Sequence, residues 1–260
     1  MVTLSVETRP ERWGRRWGYG PAVGLGAQLA LLAALAVEVR LGAAAWFAAI
    51  AYAVVTAAAL ALGLRRSGAR ALGPANQVTL ARAVLVGGVA ALVTESLAHP
   101  VPLAALVTIA AVALGLDAVD GQVARRTGTT TALGARFDME VDAFLILVLS
   151  VSAARPLGAW VLAIGALRYL FVAAAWVLPW LRAALPPRRS RKVVAAAQGI
   201  VLVVVAAGVL PPPAAAGAVA AALAALCWSF GRDTAWLWRN RSPQAVSVSA
   251  RGRDLVSTGR

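Results

Sequence analysis

Asp117, Asp120, Asp138, Glu140 and Asp142 are five of the chain's eleven acidic residues, and they fall within a window of 26 positions. Long apolar runs flank them on both sides. A carboxylate at the centre of a bilayer costs about 2.5–3.5 kcal/mol on insertion scales, so such a cluster needs a compensating partner. Asp117 and Asp120 are three apart, and Asp138 and Asp142 four apart, so each pair shares one face of a helix. The loop between the pairs lets two helices run antiparallel and brings four carboxylates to one pocket. Three chemistries suit that pocket. It can be a charge cluster paired with Arg82, Arg125, Arg126 and Arg136. It can be the proton or cation relay of a transporter. It can also be a divalent-metal site, because hard cations such as Mg²⁺ and Mn²⁺ take oxygen ligands. Four acids have room for two ions.

The neighbouring residues bear on the choice. Gly121 follows the second Asp, Ala124 lies one turn further, and Gly134 precedes the third Asp. None of them helps a salt bridge, whereas all of them clear space beside the acids for a bulky ligand. Arg125 offers a planar fork for phosphate. Acids, small residues and arginine together suit a metal-bound phosphate ester or diphosphate.

The elements that must hold these groups are membrane helices. The chain has 260 residues, 60% hydrophobic and 14% charged, with a mean hydropathy of +0.76. Soluble domains are about 45–50% apolar and about 25% charged. Eight segments reach the length of a membrane helix: 21–37, 43–64, 78–98, 101–124, 134–153, 157–181, 193–210 and 213–231. Pro100, Pro156 and Pro211 to Pro213 are expected in the connections. Basic residues crowd alternate loops: Arg65, Arg66 and Arg70; Arg125, Arg126 and Arg136; Arg182, Arg188, Arg189, Arg191 and Lys192. The intervening loops hold only Arg40 and Arg155, with His99. This asymmetry predicts that both termini and the acidic window face the cytoplasm. Residues 21–37 could be taken for a signal peptide, but an uncleaved helix preserves the loop parity. The net charge of +14 is explained by this topology and by anionic lipid, and no nucleic-acid partner is expected. Cys227 is alone, which excludes an internal disulfide and a cysteine metal cluster. Trp176, Trp180, Trp228, Trp236 and Trp238 fall near the inner helix ends and are expected to anchor them at the interface.

The motif Asp117-x-x-Asp120-Gly121-x-x-Ala124-Arg125, then Gly134-x-x-x-Asp138-x-x-x-Asp142, resembles the signature of the CDP-alcohol phosphotransferase family at every defined position and spacing. "PANQVTLAR", with Asn76, Thr79 and Arg82, resembles the stretch that opens that family's first core helix. "SRKVVAAAQ", from Ser190 to Gln198, resembles a later Lys…Gln stretch, although Arg191 replaces a Gly and Ala195 a Thr.

The resemblance implies an all-α polytopic transmembrane bundle, with a six-helix catalytic core over 74–231 and two added N-terminal helices over 21–73. Residues 1–20 are then a cytoplasmic juxtamembrane segment and 232–260 a cytoplasmic basic tail. It implies transfer of a phosphatidyl group from CDP-diacylglycerol to an alcohol, with release of CMP, in a bacterial-type plasma membrane. Asp117, Asp120, Asp138 and Asp142 would hold Mg²⁺ or Mn²⁺, two ions in all, and Asp142 would also serve as general base. Gly121, Ala124 and Gly134 would line the nucleotide and Arg125 would contact the diphosphate, with Asn76, Thr79 and Arg82 in the same pocket. Arg168, Arg191 and Lys192 would hold the phosphate of an acceptor such as glycerol 3-phosphate or an inositol phosphate. Family members are often homodimers, so a homodimer is expected. The rival reading is a cation- or proton-coupled transporter built on the same acids.

Overall fold

A computed structural model of the chain describes residues 20–67, 74–127, 131–186 and 188–241. The protein is an all-helical, multi-pass membrane bundle with no strand among the described residues. α1 (Gly20–Glu38) and α2 (Ala43–Ser67) precede α3 (Pro74–Ser96), α4 (Leu103–Thr127) and α5 (Ala132–Leu157). α6 (Leu162–Val177), α7 (Arg189–Ala206) and α8 (Pro212–Arg239) complete it. Alanine and leucine fill most of these segments, and both are strong helix formers. In lipid the helix also satisfies its own backbone groups, which no irregular segment can do.

Among the described residues the helix count matches the eight apolar segments, but five helices are long and apolar enough to cross a membrane. These are α1, α2, α3, the segment 159–177 and α8. α4 falls short because its apolar run ends at Asp117 and the acidic motif takes its final turns. α7 carries its charges in the opening turns, and α5 has four in its first half and Arg155 in its last turn.

Proline places several boundaries. The expected single helix over 157–181 is interrupted: α6 stops at Val177, and Pro179 opens a separate 3₁₀ turn, Pro179–Arg182. Proline lacks the N–H that would continue the ladder and crowds the preceding turn. Pro156 was expected in a connection but lies inside α5, one residue before its end. There its missing N–H weakens only the last turn. Pro212 and Pro213 open α8, where first-turn amides have no intrahelical acceptor to lose. α8 itself continues to Arg239, past the expected end at residue 231. The extension follows its buried stripe, which runs through Ala215, Val219, Ala222, Ser229, Asp233 and Leu237.

α3 is the axis of the bundle. It packs against α1, α2, α4 and α5, and 61% of its apolar window is buried against 28% or less in the other four spans. Val86, Val89 and Leu92 on α3 are fully enclosed, together with Leu106 of α4, Leu145 and Leu149 of α5, and Leu202 of α7. α4 packs mainly on α3 and α7, and α5 on α3, α6 and α7. The two acid-bearing helices thus meet across α3 rather than along a shared seam.

α6 approaches α5 most closely at Gly165, where a Cβ would come within 2.5 Å of the Cα of Leu147. Gly165→Val is therefore expected to push the helices apart at a cost of about 1–3 kcal/mol, the range for overpacking. Thermal unfolding of the purified protein in detergent would register this as a lower midpoint. An unchanged midpoint would mean that α6 has room to move away.

Candidate active site

α5 begins with a defined cap. Thr131 is extended, and its Oγ1 accepts a hydrogen bond from the Gly134 amide at 3.0 Å. This satisfies one of the free N–H groups of the first turn. It also sets the helical phase that places Asp138 and Asp142, one turn apart, on the face toward α3. From α4 comes Asp117, in the second half of that helix.

Between them lies Arg82 of α3, which is fully buried. Its Nε donates to the Ala113 carbonyl of α4 at 3.2 Å. Its Nη1 pairs with Asp117 at 3.0 Å and also with Asp138, while Nη2 pairs with Asp142. One guanidinium thus joins α3 to both acid-bearing helices. A rigid five-donor fork can do this, and an ammonium cannot.

Arg82 takes one oxygen, Oδ1, of each aspartate. The three carboxylate side chains remain 43%, 37% and 41% exposed, while that of Arg82 is 1% exposed. The arginine therefore supports the acids from beneath and leaves their outer side open. Among the described side chains, and with the three acids ionised, one guanidinium is set against three carboxylates. Asp117, Asp138 and Asp142 each offer an oxygen within 4.8 Å of the others. Oxygen donors, close spacing and uncompensated charge fit a divalent cation of the Mg²⁺ or Mn²⁺ type.

The remaining expected residues divide into groups. Asp120, Gly121, Ala124 and Arg125 occupy the last turns of α4, and their side chains lie outside the described residues. Gly134 is buried at the start of α5, and a Cβ there would overlap Oδ1 of Asn76. The room it leaves is thus filled by Asn76, which lets the start of α3 approach α5. Asn76, Thr79 and Arg82 follow one another at three-residue steps and are all buried. Arg168 does not join the acids: it pairs with Glu140 and donates to Met139 Sδ at 3.0 Å. Glu140 lies two residues from both Asp138 and Asp142, which turns it to the opposite side of α5. Arg191 is likewise engaged elsewhere, by Asp233 of α8 at 3.3 Å and by the Pro186 carbonyl. Lys192 is exposed.

Two residues outside the expected set matter to this arrangement. Asp233 is buried and anchors Arg191, although it falls where a cytoplasmic basic tail was expected to begin. Its signal was the continuation of the α8 stripe through Leu237. Tyr52 of α2 stacks on Phe144, two residues beyond Asp142, with ring centroids 4.2 Å apart. His99 lies at the far end of α3 and pairs with Glu95 at 2.7 Å. Glu95 is thirteen residues, or about 20 Å of helix, from Arg82.

The family model for CDP-alcohol phosphatidyltransferase matches residues 72–230, more than half of the chain. The chain belongs to the CDP-alcohol phosphatidyltransferase family. No curated protein and no solved structure matches it. Membership in the CDP-alcohol phosphatidyltransferases makes the protein a transferase of substituted phosphate groups that works with CDP-alcohol substrates and membrane lipids in phospholipid synthesis. The family is divalent-metal dependent in general, which agrees with the donor set formed by Asp117, Asp138 and Asp142. The matched stretch takes in α3 to most of α8 and leaves α1 and α2 outside.

Arg82→Met would remove the buried cation that pairs with three carboxylates. Losing one member of a buried ion pair costs about 3–5 kcal/mol, and the partial exposure of these acids points to the lower end. A fall in the detergent unfolding midpoint, with Arg82→Lys intermediate, is the expected result. A midpoint equal to the native one in both variants would show that the fork does not tie the helices together.

Proposed function

We propose that the protein transfers a phosphatidyl group from CDP-diacylglycerol to the hydroxyl of a small alcohol and releases CMP. One observation carries this reading: in a chain of this family, three carboxylates from two helices converge around a single buried arginine and keep an excess of negative charge on their open side. Asp117, Asp120, Asp138 and Asp142 would hold two divalent ions. Those ions would supply the positive charge that binds the diphosphate and stabilises charge developing on the transferred phosphorus.

The chain's own groups do the rest. Arg125 contacts the diphosphate, and Gly121 and Ala124 let the nucleotide approach α4. Asp142 accepts the proton of the acceptor hydroxyl. The hydroxyl oxygen forms a bond to the phosphorus on the lipid side, and the bond from that phosphorus to the CMP oxygen breaks. CMP leaves with the bonding electron pair. Phosphoryl-type transfer needs positioning and charge neutralisation more than covalent help, and this site offers both.

The orientation follows from charge. The end of α2, the start of α7 and the end of α8 share one end of the bundle with the acids. Arg65, Arg66, Arg188, Arg191, Lys192, Arg232 and Arg239 lie there. Positive-inside topology supports a cytoplasmic placement of that end, in a bacterial-type plasma membrane on this reading. The same end supports a phosphorylated acceptor, glycerol 3-phosphate or an inositol phosphate, with the exposed Lys192 as its cationic contact, while Arg168 and Arg191 are held by Glu140 and Asp233.

The deciding assay is CMP release by purified protein supplied with CDP-diacylglycerol, Mg²⁺ or Mn²⁺ and a panel of alcohols. Release with one acceptor is expected, and silence with all of them in every metal would reject the donor. Asp138→Asn and Asp142→Asn should each lower the rate by a factor of about 10² or more, within the range for lost acid–base and charge-stabilising groups. Chelation should abolish release and re-addition of metal restore it. Lys192→Gln should raise KM for a phosphorylated acceptor about tenfold and leave KM for CDP-diacylglycerol unchanged. An equal rise for both would take Lys192 out of the acceptor site.

A further inference from the structure

A second polar feature lies on α8, apart from the acids. A cavity of about 480 Å³ is lined by Arg188 at the start of α7 and by Trp228, Gly231, Arg232, Trp236 and Arg239 of α8. That volume is within the usual span for small-ligand sites, about 300–1,000 Å³. The α8 residues recur every three or four positions, so they share one face of the helix. Asp233, by contrast, turns inward and is buried. α8 makes its main contacts with α7, whereas the acids stand on α4 and α5 around α3.

The cavity carries more positive charge than its surroundings neutralise. Arg232 donates to Ser190 Oγ at 3.0 Å and lies 3.9 Å from Asp233, a carboxylate it shares with Arg191. Its Nε is buried without a hydrogen-bond acceptor. Arg188 and Arg239 have no carboxylate partner among the described residues. Depth is set by the aromatic groups. Trp228 is 74% exposed on the outside of the bundle, and Trp238 next to the cavity is capped by Arg241 at 3.4 Å. Exposed Trp beside Arg at a helix end marks the level of lipid headgroups. A site at that level with three guanidiniums meets phosphate carried by lipid before it meets phosphate from solution.

We propose that this cavity binds the phosphate-bearing headgroup of an anionic phospholipid, with Arg188, Arg232 and Arg239 around the phosphate and Trp228 against the glycerol and upper chain. The site does not depend on the chemistry proposed for the acids, and it binds a lipid that is not turned over there.

Native mass spectrometry of the purified full chain tests this with phosphatidylglycerol and phosphatidylcholine of identical chains. The wild-type protein should retain phosphatidylglycerol preferentially. Arg188→Gln with Arg239→Gln should reduce the preference about tenfold, in line with the attraction of two surface cations to an anionic leaflet. Arg65→Gln with Arg66→Gln removes the same charge from the exposed end of α2 and should leave the preference intact. Equal retention of both lipids by the wild type would overturn the proposal. So would an equal loss in the Arg65/Arg66 variant, which would show diffuse attraction rather than a site. Displacement of bound phosphatidylglycerol by millimolar glycerol 3-phosphate would also overturn it and assign the cavity to a soluble phosphate ester.

Discussion

The site rests on one buried guanidinium that holds three carboxylates from two different helices. Without a cation beneath them, Asp117, Asp138 and Asp142 would repel one another at the edge of an apolar bundle, where little solvent screens the repulsion. Arg82 removes part of that repulsion but not all of it. The remaining negative charge faces outward, where a divalent ion and a diphosphate can use it. A cluster neutralised completely from within would be stable and inert. Arg82 therefore decides both that the acids can coexist and that they still attract a cation.

This role explains why α3 is the most enclosed helix. A guanidinium can bridge α4 and α5 from below only if its own helix runs between them. The fully enclosed Val86, Val89 and Leu92 hold α3 there. Asn76 fills the room above Gly134 and brings the start of α3 against the capped start of α5. The two N-terminal helices support the same arrangement from outside the family's span. Gln28 of α1 packs against Gly87 of α3, and Tyr52 of α2 stacks on Phe144 of α5.

α5 also separates two electrostatic environments. One face presents Asp138 and Asp142 to α3 and the open site, and the other presents Glu140 to Arg168 of α6. Farther round, Asp233 of α8 holds Arg191. Glu140 and Asp233 are thus paired with arginines of other helices, whereas Asp117, Asp138 and Asp142 share Arg82. The basic cavity on α8 is the converse case, with arginines in excess of carboxylates and tryptophans at the lipid boundary.

Much of this could be read along the chain. Apolar length alone marked eight helices near their observed positions, because a helix in lipid has no alternative way to satisfy its backbone. The three- and four-residue spacing of the acids placed them on helix faces, and their pattern pointed to the family. The breaks at Pro179 and Pro156 were misjudged because a proline interrupts a helix when turns must continue beyond it, as at Pro179, and is tolerated in a last turn, as at Pro156. The tail of α8 was cut short because Arg232 and Asp233 end the apolar run, and the burial of Asp233 against Arg191 shows only in the folded chain. Which arginine serves which acid was not legible at all. Arg82, Arg125, Arg126, Arg136 and Arg168 are comparable candidates in one dimension, since charge pairing over 35 to 60 residues depends on how helices are ordered in space. The linear chain thus determined the helices, the acid motif and the family. Only tertiary packing decided that α3 lies between α4 and α5, because long-range side-chain contacts leave no periodic trace in sequence.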